Sequence, residues 1–162
     1  MSTETSFVDS ALRNWKTNID RADKFFSGLT EEQLQLQIAP GKNRLVYLWG
    51  HLTAVSDALI PLLGFGERLH PELDATFLTN PDDPSKKTPS REALKSVWDE
   101  INVVLSLAFA KLSPAEWLER HASVSEEDFA LEPHRNRFAI LLGRTGHIAY
   151  HLGQAFLVKP KS

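Results

Sequence analysis

The chain has 162 residues, a net charge of -3, a pI near 6.1 and no cysteine, with 42% hydrophobic and 24% charged residues. That length fits one domain, residues 1–162, with a core of its own, and the charge balance leaves no electrostatic footprint for nucleic acid. Disulfides, zinc–thiolate sites and thiol nucleophiles are excluded by the missing cysteines. Residues 1–10 carry no basic stretch followed by an apolar core, so no secretory leader is expected. The apolar stretches fall short of the roughly 20 residues of a membrane span. The expectation is a cytoplasmic protein with neither nucleic acid nor membrane as partner.

Four long helices are predicted. In the first, over about 5–27, Phe7, Ala11, Leu12, Trp15, Ile19, Ala22 and Phe26 recur at three- and four-residue spacing, and Gly28 closes it. The second covers about 44–63, with Asn43 as candidate N-cap and Gly64 and Gly66 beyond its end. The third begins near Thr88-Pro89 and runs to about 112. The fourth covers about 137–158 behind Asn136, and Lys159-Pro160 stops it. Thr30 to Gln33 and Ser113 to Glu116 fit capping boxes of two short helices. The segment 64–87 is rich in Pro, Gly and Asp and reads as a long crossover with one helical turn near 71–77. Such a crossover lets helices two and three run parallel. The fold class is therefore all-α.

An internal echo runs through the chain. Pro40-Gly41-Lys42-Asn43-Arg44 and Pro133-His134-Arg135-Asn136-Arg137 share the order Pro, any residue, a base, Asn, Arg. Trp98 stands as far before the second capping box as Trp15 does before the first. Either two helices use one start signal, or a helix pair is duplicated; the tryptophan pair favours duplication and a pseudo-twofold bundle. Asn43, Arg44, Asn136 and Arg137 read as caps and loop ties. Trp15, Trp49, Trp98 and Trp117 read as core or dimer packing.

His70, His121 and His134 fall in predicted connections and read as solvated surface residues. His147 and His151, four apart on helix four, share one face a turn apart. Ile148 stands where an HExxH motif needs glutamate, so that motif is absent. Two histidines in an apolar helix must be satisfied or face a cleft, and a metal ion would satisfy both. His51 lies in Gly50-His51-Leu52 on helix two, at a level comparable to the pair. It reads either as a third ligand or as a buried histidine bonded to a carbonyl. Three neutral imidazoles form an open site for a divalent ion. Around it, Tyr47 could donate a proton or support a ligand, Arg144 could hold an anionic group, and Gln154 could bond a substrate or water. Each could equally be an ordinary packed, solvated or capping residue.

Gly50-His51-Leu52 and the run His147-Ile148-Ala149-Tyr150-His151-Leu152-Gly153-Gln154 resemble the DinB/YfiT-like family of metalloenzymes, with one histidine on the second long helix and two, four apart, on the last. The resemblance covers essentially the whole chain. It implies a four-helix bundle in up-down-down-up order, often a homodimer, and a histidine triad, His51, His147 and His151, holding zinc or nickel. It also implies a metal-dependent enzyme acting on a small-molecule substrate, of thiol S-transferase type with a low-molecular-weight thiol, or of hydrolase type. The alternative is a non-catalytic metal-binding or structural dimeric bundle, since no general base stands out beside the ligands.

Overall fold

The computed structural model describes residues 2–158, and all regular structure in them is helical. In chain order come α1 (Thr3–Ser27), α2 (Glu31–Leu34), α3 (Leu45–Asp57), α4 (Leu59–Leu62), a 3-10 turn (Pro71–Leu73), α5 (Asp74–Phe77), α6 (Arg91–Phe109), α7 (Pro114–Trp117), α8 (Glu126–Leu131) and α9 (Arg137–Phe156). The long elements are α1, α3, α6 and α9, of 25, 13, 19 and 20 residues. The turn foreseen near 71–77 is present as the 3-10 turn and α5. The expected stop at Lys159-Pro160 lies outside the described residues.

The helix starts follow from capping chemistry, with two corrections. Thr30 and Ser113 form capping boxes with Gln33 and Glu116, and the Asn136 side chain accepts from Ala139 N. The third long helix is capped by Ser90, which accepts from Ala93 N, so it starts later than Thr88-Pro89 suggests. Asn43 caps nothing; the N-cap of α3 is Arg44, without a side-chain cap bond. A distant carboxylate does that work instead, since Asp82 Oδ2 accepts from the Arg44 backbone N–H at 2.8 Å. The second predicted helix is also divided, at Ala58. Pro61 has no N–H to offer the Asp57 carbonyl one turn back, and the chain steps between α3 and α4 there.

These starts move the internal echo by one residue in its second segment. Arg44 is the N-cap of α3 and forms an isolated bridge with Gln37; Asn136 is the N-cap of α9 and bridges Arg120. The structural counterpart of Arg44 is therefore Asn136, not Arg137. In the first helix of each half the match needs no shift, and Phe26 and Phe109 precede their capping boxes by the same interval.

Contacts fix how the long helices lie. Phe25 and Phe156 meet at 5.0 Å, joining the C-terminal ends of α1 and α9. Asp23 faces Lys95 at 3.3 Å and Trp15 meets Phe109 at 4.8 Å, so α1 and α6 run in opposite directions. Between them lies an apolar core in which Phe26 stacks on Trp49 and the side chains of Trp49, Trp98 and Trp117 are fully buried. All four tryptophans belong to this core. Leu45–Leu62, the one described stretch long and apolar enough to cross a bilayer by composition, is 78% buried here.

Two buried carboxylates anchor the crossover. Asp82 grips the Arg44 guanidinium at 2.6 Å with both side chains almost wholly buried, and Arg44 also donates to Gln35 Oε1 and the Asp83 carbonyl. Asp57, fully buried at the end of α3, accepts from Arg68 Nε and from the backbone N–H groups of Leu69 and His70. Removing one partner from such a buried cluster strands the others away from water, so these contacts cost more to break than a surface pair. Arg137 likewise ties its loop, donating to the Glu116 carbonyl and to Glu119.

Candidate metal centre

Across the seam between α3 and α9 three imidazoles meet. Gly64, just past the end of α4, lines the same cavity as the Arg137 side chain at the start of α9, and His51 meets His147 further along, so α3 and α9 run antiparallel. His147 Nε2 lies 3.0 Å from His151 Nε2 and 3.3 Å from His51 Nε2, and all three residues are half-buried. Four-coordinate zinc with Zn–N bonds of about 2.0–2.1 Å spaces its nitrogens by roughly 3.3 Å. The two spacings to His147 are close to what a small divalent ion requires, and the ligand atoms of all three histidines lie within 4.8 Å of one another.

The outer nitrogens settle which way the lone pairs point. His51 Nδ1 donates to the Phe77 carbonyl at 2.9 Å, and His151 Nδ1 donates to Gln154 Oε1 at 2.8 Å. With Nδ1 protonated, Nε2 of each neutral ring is an acceptor. Both acceptors face His147 Nε2, and one proton there can satisfy only one of them. A cation at the centre satisfies all three, so the donor set fits a divalent ion, and the other-side hydrogen bonds are of the kind that orient metal-binding histidines. His147 differs: its Nδ1 is buried with no partner among the described residues.

Burial also keeps the rings in the form that binds metals. Desolvation, helped by the charges of its neighbours His151, His51 and Arg144, pushes His147 down to about 4. Desolvation lowers His151 too, against the opposing hydrogen bond to Gln154. At neutral pH both rings are uncharged ligands without help from a metal.

The crossover builds one wall of the site. Gly50 leaves room for the fully buried ring of Phe77, which a Cβ would overlap. That close approach brings the Phe77 carbonyl to His51. Tyr47, a turn before His51, stacks on its ring at 6.4 Å between centroids, and its hydroxyl donates to the Asn80 carbonyl at 2.7 Å. Gln154 reaches His151 rather than open space. Arg144 sits half-buried a turn before His147 on the same face of α9.

The other histidines divide. His134 is exposed as expected. His121, expected to be solvated, is buried, with Nδ1 unpartnered among the described residues, because it lies on the segment that Ala122 N–H ties to the Leu62 carbonyl. His70 is partly covered and bonds Glu72 at 2.9 Å and Glu100 at 3.1 Å, so it links the crossover to α6. The Asp57 and Asp82 anchors and the Phe77 carbonyl had no place in the sequence reading. The glycine before His51 is the trace of the last.

An all-helical chain with one histidine on one long helix and two on another, converging on a common point, has the form of a helical-bundle protein able to hold a metal ion. The DinB superfamily pattern matches the chain over residues 14–155, and the protein belongs to that superfamily. No curated protein matches the chain.

Proposed function

We propose that the protein is a metal-dependent enzyme acting on a small molecule, by thiol transfer or hydrolysis, with His51, His147 and His151 holding one divalent ion, zinc or nickel. The observation that carries this reading is the convergence of three Nε2 atoms, two of them fixed as acceptors by bonds on the far side of the ring. A divalent ion on three neutral imidazoles keeps an open coordination position and supplies a Lewis acid for a substrate thiol or water. Gln154 and Tyr47 act as positioning residues in this reading, one on His151 and the other against His51. Metal analysis of untagged protein, followed by a screen of low-molecular-weight thiols with electrophiles and of hydrolysable esters and amides, tests it. Failure to take up zinc or nickel overturns it.

The bundle order proposed is up-down-down-up for α1, α3, α6 and α9. It is supported by the Phe25–Phe156 contact, the Asp23–Lys95 pair and the Gly64–Arg137 approach.

A second reading, a non-catalytic homodimeric bundle, has its own observation. The outward face of α9 carries Leu142, Gly143, Gly146, Ala149, Tyr150 and Gly153, all exposed and none charged. An uncharged face of this length suits a second copy of itself, and the homodimer is compatible with the enzyme reading as well. Sedimentation of the parent and of Gly146→Glu tests it: a dimer is expected for the parent and a monomer for the variant.

A further inference from the structure

Six arginines of the described chain are buried or half-buried and bonded: Arg44, Arg68, Arg91, Arg120, Arg135 and Arg137 each have a carboxylate or carbonyl partner. Arg144 is the exception. It is half-buried, yet among the described residues no carboxylate lies within ion-pair distance of its guanidinium and no acceptor takes a hydrogen bond from it. Burial lowers its pKa, as expected for a cation partly shielded from water with no carboxylate beside it. It is also close enough to His147 for its charge to disfavour protonation there.

Position gives this isolated charge a meaning. Arg144, His147 and His151 follow one another at three- and four-residue spacing along the half-buried strip of α9. Side chains so placed stand about 5–6 Å apart at their Cβ atoms. A group held by Arg144 would therefore sit a few bonds from one held at the imidazoles. The guanidinium fork matches a carboxylate in two parallel charge-assisted hydrogen bonds. One unpaired guanidinium neutralises one negative charge, which a carboxylate supplies.

We propose that Arg144 is the carboxylate-binding residue of the substrate site, and that the substrate is a small acid whose carboxylate lies a few bonds from the thiol or other group presented to the three histidines. This inference rests on the metal-site reading above and deepens it by naming the substrate class. No protein group competes for the fork, so the acid docks without first breaking an internal ion pair.

The test uses zinc-loaded protein and two thiols of equal reach, 3-mercaptopropionate and its methyl ester, with binding followed by calorimetry and zinc content measured for every sample. The parent is expected to bind the acid about tenfold or more tightly than the ester, the size of a charge-assisted hydrogen-bonded pair. Arg144→Gln should bring the acid down to the affinity of the ester while leaving zinc content and ester binding unchanged. Arg144→Lys, which keeps the charge without the fork, should recover only part of the preference. Equal binding of acid and ester by the parent, or a preference that survives in Arg144→Gln, overturns the proposal and leaves the metal site standing. Absence of zinc uptake by the parent overturns the metal site and this inference together.

Discussion

The carbonyl of Phe77 and the imidazole of His51 are joined at 2.9 Å because Gly50 lets the Phe77 ring lie against α3. A backbone acceptor on the crossover thus decides which nitrogen of His51 faces the other two histidines. Gly50→Ala should push the ring and its carbonyl away. Loss of an outer hydrogen bond of this kind commonly costs about 10–100-fold in metal affinity. Zinc affinity by competition with a chelator should fall by that order, with little change in helical content by circular dichroism. Unaltered affinity in a folded Gly50→Ala protein would show that His51 does not need this orientation.

Each histidine of the triad contributes one of three directions about the ion. Alanine at His51, His147 or His151 should lower zinc retained after dialysis sharply, whereas alanine at His70, His121 or His134 should leave it near the parent level. Full retention in His51→Ala would remove α3 from the site.

Protonation of His147 in the metal-free protein has a defined sign. His147 is held down to about 4 in the folded protein, while an unfolded histidine titrates near 6.5. The unfolded chain therefore binds more protons between those values, and stability of the metal-free protein falls as pH drops from about 6.5 towards 4, with no further loss from this group below. His147→Phe should flatten that part of the profile in urea titrations of metal-free protein. An unchanged slope would place the effect elsewhere.

His70 has the opposite sign. Burial works against its charge, but hydrogen bonds to Glu72 and Glu100 prevail and raise it. Its contribution is fully present below about 6.5 and is lost as pH rises through the higher folded value. Both carboxylates are largely exposed, so the effect should not exceed about 1 kcal/mol. His70→Gln should cost stability at pH 6 and very little at pH 9, by thermal melting at matched ionic strength.

Asp82→Ala leaves the Arg44 guanidinium buried with only Gln35 and a carbonyl as partners. Breaking a buried pair from one side costs about 3–5 kcal/mol. Chemical denaturation should show a loss of that order, and a loss under about 1 kcal/mol would mean that water replaces the carboxylate.

The parts of the structure that depend on spacing were legible in the sequence. The i, i+4 pair of His147 and His151, the Asn136 cap and the two capping boxes all act within one helical turn, where sequence neighbours are spatial neighbours. What was not legible acts across distance. Asp82 caps α3 from 38 residues away, which is why Asn43 looked like the cap and why the echo was placed one residue out. The acceptor for His51 is a backbone carbonyl, which every residue owns and none advertises. The isolation of Arg144 is the absence of neighbours, and only packing reveals that. Pro61 was visible as a residue, but its effect, a step at Ala58, was masked by the unbroken apolar run around it.

The step between Arg44 and Asn136 as counterparts has a consequence for the symmetry of the molecule. Counted from these two caps, His51 corresponds to Gly143, His147 to Val55 and His151 to Leu59. The two halves thus make unequal donations, one ligand and two, and neither has enough to chelate an ion as a tripod by itself. An ion bound at the seam is a rivet between the halves. Severing the exposed connection at Lys86 or Lys87 leaves it, beside the shared apolar core, as a link between two covalently separate polypeptides, so a chelator should speed their dissociation in the nicked protein.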